Sequence, residues 1–168
     1  MNSFLKVRNS CNNNVTVNVT NCYIEKIGQF LFWVDTKMDT INFNGNTVDV
    51  STCGTIVNSA GALFRIRSGS ATIYNNTFSG NVTSIAGLFE SSGTGMTIKY
   101  NTFKGVTKYA YIRSGYGYSM VFDKNLYLDS SSNVLSTVPS GVSGTGVVAD
   151  TTIAKNETER ANYYNTLA

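Results

Sequence analysis

A repeat constrains this chain more than any other feature. The segments TIYNNTF (72–78) and TIKYNTF (97–103) share Thr, Ile, Asn, Thr and Phe at equal offsets, and glycine follows two residues later, as Gly80 and Gly105. NFNGNTV (42–48) and VFDKNLY (121–127) have the same frame. The anchors are Asn46, Asn76, Asn101 and Asn125. An apolar residue lies three before each (Phe43, Ile73, Ile98, Phe122) and two after each (Val48, Phe78, Phe103, Tyr127). VNVTNCY (17–23) aligns on Asn21, with Asn18 in the place of the apolar residue. The anchor spacings are then 25, 30, 25 and 24 residues. Self-similarity at such a period is the mark of a stacked architecture. The long interval predicts an inserted loop within residues 51–60.

A second track runs half a period later. FLFWVDT (30–36), ALFRIRSG (62–69), AGLFESSG (86–93) and YAYIRSG (109–115) align as short strands. Phe32/Val34, Phe64/Ile66, Gly87/Phe89 and Ala110/Ile112 fall on one face. Trp33/Asp35, Arg65/Arg67, Leu88/Glu90 and Tyr111/Arg113 fall on the other, as the two-residue period of a strand requires. No helical stripe runs through the first 150 residues.

Propeller blades need about 40 residues or more, and the leucine-rich skeleton is absent. A sandwich turns every 8–12 residues without strict self-similarity. Two or three short strands per turn of a parallel β-helix fit best, because equivalent residues of successive coils then stack. Asn suits the corner, since it tolerates the left-handed backbone and its carboxamide can bond its neighbour in a ladder. The predicted fold is all-β, a right-handed parallel β-helix of about five coils over residues 1–129. A Ser/Gly-rich loop or linker (130–150) and a short helical C-terminal cap (151–168) follow. Asp150 or Thr151 would cap the helix, and the tail would cover the last coil.

Composition narrows function. The chain contains no His, which removes Ser-His-Asp and Cys-His catalysis and His-ligated metals. Charged residues are only 14% and the net charge is +3, so nothing points to nucleic acid. Asn, Thr and Ser number 20, 20 and 18, and they supply the polar surface instead. No apolar run is long enough to span a membrane. Cys11, Cys22 and Cys53 form no metal or redox motif, and they read as buried free thiols or one unassigned disulfide.

The run Ile73-Tyr74-Asn75-Asn76-Thr77-Phe78-Ser79-Gly80 resembles the coils of the pectate-lyase-like single-stranded right-handed β-helix superfamily. Within it, the chain most resembles secreted β-helix domains of Bacteroidetes glycan-utilisation proteins. The N-terminus lacks the apolar core of a signal peptide, which leaves an intracellular protein or one whose export signal lies upstream; with the repeat under way by Val15, the expectation is a secreted or cell-surface protein flanked by other domains. Enzymes of that superfamily use an Arg or Lys base with calcium-binding Asp residues, or an Asp group with Gly-His-Gly. This sequence departs from both patterns.

The candidate site is therefore a surface. Asp35, Arg67, Glu90 and Arg113 form an outward column of alternating charge beside Trp33, Arg65, Leu88 and Tyr111. As an exposed ladder, the charged column mainly fixes register. As a glycan face, Trp33 and Tyr111 would stack on sugar rings, while Asp35, Arg65, Arg67, Glu90 and Arg113 bond hydroxyls. Asp35 and Glu90 would sit two coils apart, near the upper end of an inverting glycosidase's carboxylate spacing, but with Arg67 between them. Tyr109, Tyr111, Tyr116 and Tyr118 pack the last coil or edge a groove. No catalytic residue, metal ligand or cofactor is assigned, beyond a weak calcium site at stray Asp and Asn oxygens. The leading expectation is a noncatalytic carbohydrate-binding or scaffold module, with polysaccharide as partner. The rivals are a polysaccharide lyase or hydrolase fragment, with Arg67 or Arg113 as base, and a phage or adhesin fibre segment.

Overall fold

Alternating apolar and polar residues at the repeat positions can bury one face only by coiling round a common interior. The computed structural model describes residues 3–7 (backbone), 15–28, 30–35, 40–52, 61–81, 85–92, 95–112 and 119–167. The fold is a parallel β-helix with three sheets, visited in the order I, II, III on each turn. Sheet I contains β1 (Ser3–Val7), β4 (Phe30–Val34), β7 (Ala62–Ile66) and β10 (Gly87–Ser91). Sheet II contains β2 (Thr16–Thr20), β5 (Thr40–Asn44), β8 (Ser70–Tyr74), β11 (Gly95–Lys99), β13 (Met120–Asp123) and β15 (Val147–Val148). Sheet III contains β3 (Tyr23–Ile24), β6 (Thr47–Asp49), β9 (Thr77–Ser79), β12 (Thr102–Lys104) and β14 (Leu126–Leu128). All strand pairs within the sheets are parallel. β2, β5, β8, β11 and β13 are the five predicted coils, separated by about four turns.

Residues two after the anchors stack through the interior. Phe78 lies 5.3 Å from Phe103, which lies 5.5 Å from Tyr127. Phe64 and Phe89 meet this column from sheet I at ring distances of 5.7–6.2 Å, and Phe32 packs against Phe64 at 5.4 Å. Such aromatic pairs each add about 1 kcal/mol beyond the area they bury.

The asparagine ladder runs along the corner between sheets II and III. Asn46, Asn76, Asn101 and Asn125 are all buried. In each rung the backbone N–H and the Nδ2 donate to the next rung's Oδ1, at 2.9–3.2 Å. The same Nδ2 also donates to a carbonyl of the preceding rung, for example Asn101 to Ile73 at 2.8 Å. Asn is needed because one side chain must both accept and donate.

Two details differ from the sequence reading. The first rung is Cys22, not Asn21: Thr47 pairs with Tyr23, and Cys22 N–H donates to Asn46 Oδ1 at 2.9 Å. The apolar residue three before is then Val19, which removes the misfit at Asn18. The left-handed residue is also the one before each rung: Asn21 (φ 55°), Gly45 (70°), Asn75 (56°), Tyr100 (58°) and Lys124 (53°). The conserved geometry, not Asn itself, makes the corner, and the rung asparagines were selected by the ladder alone. Cys22 is exposed and free, contrary to a buried thiol. Cys11, Cys53 and the inserted segment 53–60 lie outside the described residues. Val50–Thr52, just before that segment, forms a single 3-10 turn.

The C-terminal end is closed differently from expectation. β15 covers the edge of β13, Val134 pairs with Leu128 at the edge of sheet III, and Ala110 N–H donates to Gly141 O at 3.2 Å on sheet I. The 130–148 segment is therefore the cap. Asp150 is the final rung: its Oδ1 accepts from Asn125 N (2.9 Å) and Nδ2 (3.0 Å). The helix α1 (Glu157–Asn165) begins at Asn156, whose side chain caps Glu159 N–H at 2.9 Å, not at Asp150 or Thr151. It lies along the II–III corner rather than over the last coil. Glu157 accepts from Thr102 Oγ1 (2.6 Å), Arg160 donates to Asn75 Oδ1 (2.7 Å) and Tyr100 O (2.8 Å), and Tyr164 Oη accepts from Asn44 (2.7 Å). Seven helical residues rise about 10.5 Å, close to the ~9.6 Å of two rungs, so one helix spans three coils.

Candidate functional site

Sheet I gathers five of the residues singled out in the sequence, but in a shifted register. Glu90 pairs with Arg65, and Arg65 with Trp33. Phe89 pairs with Phe64 on one side and Ala110 on the other. Both are two residues from the sequence alignment. Faces are preserved, since a slip of two keeps alternation, but the columns change. Glu90 belongs with Trp33 and Arg65. Leu88 leaves that column and joins Leu31 and Leu63, all fully buried on the sheet's outer face. Val50, Ile85 and Val106, from the connections that lead into sheet I, line one small space with Leu88.

The five side chains close a ring. Trp33 Nε1 donates to Asp35 Oδ2 at 2.8 Å. Arg67 Nη1 stands 3.9 Å from Asp35 Oδ1, and its Nη2 donates to Glu90 Oε1 at 2.9 Å. Arg65 Nε lies 3.9 Å from Glu90 Oε2, and its guanidinium sits 4.9 Å over the Trp33 ring. Two cations and two anions cancel. The column is not an exposed ladder: the Glu90 side chain is 1% exposed and that of Arg67 16%. Glu90 Oε2 and Asp35 Oδ1 are buried and accept no hydrogen bond from the described residues.

This geometry limits the chemistry. A glycosidase pair must flank the bond it cleaves, and here Arg67 occupies the space between Asp35 and Glu90. The Trp33 ring packs Phe30 at 4.9 Å and Arg65 at the same distance, and it is 9% exposed. Neither ring face is open to a sugar. Tyr111 follows Ala110 onto the same outer face and is half-buried. Arg113, Tyr116 and Tyr118 lie outside the described residues. Tyr109 is fully buried, with Oη donating to Val106 O at 2.8 Å, and burial pushes its hydroxyl well above the ordinary phenol range. Among the described residues, no group of three or more His, Cys, Asp or Glu side chains could hold a metal ion.

A different surface brings together groups suited to binding. Asn44, Tyr74, Tyr164, Asn165 and Leu167 line a groove of about 250 Å³ where sheet II meets α1. Tyr74 packs edge-on to Tyr100 at 5.4 Å, and Tyr100 lies 6.1 Å from Tyr164. Burial raises the Tyr74 hydroxyl above its usual range, partly offset by Lys99, so it stays a neutral donor. Among the described residues, no charged side chain lines the groove. Tyr74 and Asn44 share an outward column of sheet II that the repeat alignment already contained. The helix that completes the groove carried no sequence signal of where it docks. A larger cleft of about 340 Å³ lies between Val134–Ser136 and Ile153–Lys155 within the C-terminal cap, and is mostly aliphatic.

The fold defines a class, the parallel β-solenoids with a buried polar ladder. No family model matches the chain, and no curated protein or solved structure matches it.

Proposed function

We propose that the chain is a noncatalytic scaffold and carbohydrate-binding module of a secreted or surface protein. Its sugar contact would lie at the II–III corner, not on sheet I. The observation that carries this reading is the uncharged groove of Asn44, Tyr74, Tyr164 and Asn165. Phenol faces suit the apolar side of a pyranose, and two carboxamides suit its hydroxyls. The absence of charge in the lining favours a neutral sugar over a uronate. The groove is below the roughly 300–1,000 Å³ of drug-sized sites, so it fits one ring of a longer glycan. The lyase reading is weakened by the double engagement of Arg67. The fibre reading is weakened by a C-terminal end that the chain itself covers.

Glycan-array binding, paired with an assay for unsaturated uronide products, tests this. Tyr164→Ala and Tyr74→Ala should each reduce neutral-glycan affinity about tenfold, equivalent to ~1.4 kcal/mol. Product formation would establish an enzyme. Loss of binding in a folded Trp33→Ala variant, with the tyrosine variants intact, would return the contact to sheet I. If no glycan binds, the carbohydrate half of the proposal fails and a scaffold remains.

A further inference from the structure

Two glycines of the repeat, Gly80 and Gly105, follow directly on the sheet III strands β9 and β12. Both turn with positive φ, 94° and 67°, a conformation that favours glycine. They also stack on neighbouring coils, because Ser79 pairs with Lys104. The next coils on either side carry Val50 and Asp129 at this place, since Asp49 pairs with Ser79 and Lys104 with Leu128. Where the two side chains are missing, the surface is hollow. Ser79, Gly80, Asn81, Lys104, Gly105 and Ser130 line a cleft of about 270 Å³. Its far wall is the next coil: a Cβ built on Gly105 would touch Ser130 Cα at 3.4 Å.

The lining is rich in donors. Phe103 is buried inside, so Lys104 stands on the outer face of β12. Among the described residues its ammonium has no ion-pair or hydrogen-bond partner. Thr107 Oγ1 donates to Asn81 Oδ1 at 2.6 Å, which occupies the acceptor of that carboxamide and leaves its N–H groups to donate. Ser79 and Ser130 add hydroxyls. Among the described residues no carboxylate lines the cleft. The nearest acids of this face are engaged in their own turns. Asp129 accepts from Ser131 N, Asn133 N and Asn133 Nδ2 at 2.8–2.9 Å. Asp49 accepts from Ser51 N and Oγ at 3.0 and 2.6 Å, and it lies two coils from Lys104, about 9.6 Å away.

We propose that this cleft binds an oxyanion group, a carboxylate or a sulfate, held by the Lys104 ammonium, the Asn81 carboxamide and the two serine hydroxyls. One cation among neutral donors matches one negative charge, and hydrogen bonds to an ionised acceptor are the stronger kind. A cationic ligand would meet Lys104 with no acid in the lining to offset it. The volume admits a free ion or one acidic sugar ring. The tyrosine groove shares no lining residue with this cleft, so the proposal stands whether or not that groove takes a glycan.

Amide NMR titration of the isotope-labelled 168-residue chain tests this at constant ionic strength in chloride. The probes are acetate, sulfate, methyl glucuronide and a glucose sulfate ester, with methyl glucoside as the neutral control. The expected result is saturable shifts of the Gly80 and Gly105 amides and of the Asn81 carboxamide, with a Kd on the order of 1 mM. Lys104→Gln should weaken binding tenfold or more, with thermal unfolding and neutral-glycan affinity unchanged. Lys26→Gln removes the same charge elsewhere and should leave the affinity as it was. Tighter binding of one sugar than of the free ions supports an acidic glycan as the source, and equal binding supports a free anion. No saturable shift with any anion, equal shifts with methyl glucoside, or equal losses in the two lysine variants would overturn the proposal.

Discussion

Asparagine at a rung is selected for having donor and acceptor on one short side chain. Replacing Asn101 by Ala strands the two N–H donors of Asn76 and the carbonyl of Ile73 in the interior. Each unsatisfied buried group costs about 1–3 kcal/mol. Denaturant titration should therefore show a loss of about 3–5 kcal/mol for Asn101→Ala, against under 1 kcal/mol for Asn18→Ala on the exposed face. The last rung departs from the rule. Asp150 accepts from Asn125 and from Tyr127 Oη (2.7 Å), yet burial raises its carboxyl above the usual range. The native state thus binds its proton more tightly than the unfolded chain does. Its contribution to stability is greatest at low pH and declines as pH rises from the ordinary 3.8 through the raised native value. Asp150→Asn keeps the acceptor without the charge. The variant should melt higher than the parent at pH 7, and the difference should shrink as pH falls through that window. Exposed Asp129 and Glu159 shift the other way, held down by their hydrogen bonds, but they are common to both proteins and cancel.

At the scale of elements, sheets II and III were legible and sheet I was not. Around the ladder, three positions per turn are specified at once, so only one register satisfies Phe43, Asn46 and Val48 with Ile73, Asn76 and Phe78. On sheet I the alignment had only alternation to follow, and sliding β10 by two residues preserves it. What decides the register is Leu88 aligned with Leu63 and Leu31 beneath Val50, Ile85 and Val106, and that second apolar layer comes from connections without a repeat. Cys22 was missed because a sequence frame finds the asparagine, while the backbone finds the position. The ion-pair ring makes sheet I sensitive to truncation. Glu90→Gln leaves two arginines facing a neutral side chain, and removing one partner of a buried pair costs about 3–5 kcal/mol. Thermal unfolding of this variant should show a comparable loss. α1 is the opposite case, with no buried residue and polar contacts to three coils. Arg160→Ala should release it at a cost of about 1–2 kcal/mol. Hydrogen exchange would then accelerate in Glu157–Asn165 and remain slow in β8 and β11. Equal acceleration in both would mean that the helix holds the solenoid together.

For the whole molecule, the consequence is a rigid rod whose surfaces have different tasks. Sheet I is sealed on both faces, sheet II presents Thr, Asn and Ser to solvent, and the II–III corner carries the helix and the tyrosine groove. The low charge content follows from this division, because the few ionised groups of sheet I are spent on one another. One measurement addresses the winding itself: side-chain amide exchange and NOEs of Asn46, Asn76, Asn101 and Asn125 in solution. The ladder predicts carboxamide protons exchanging orders of magnitude more slowly than those of exposed Asn18 and Asn162, with NOEs from each rung to the next, 24–30 residues away. Carboxamides that exchange as fast as the exposed ones, with no NOE between successive rungs, would contradict the account.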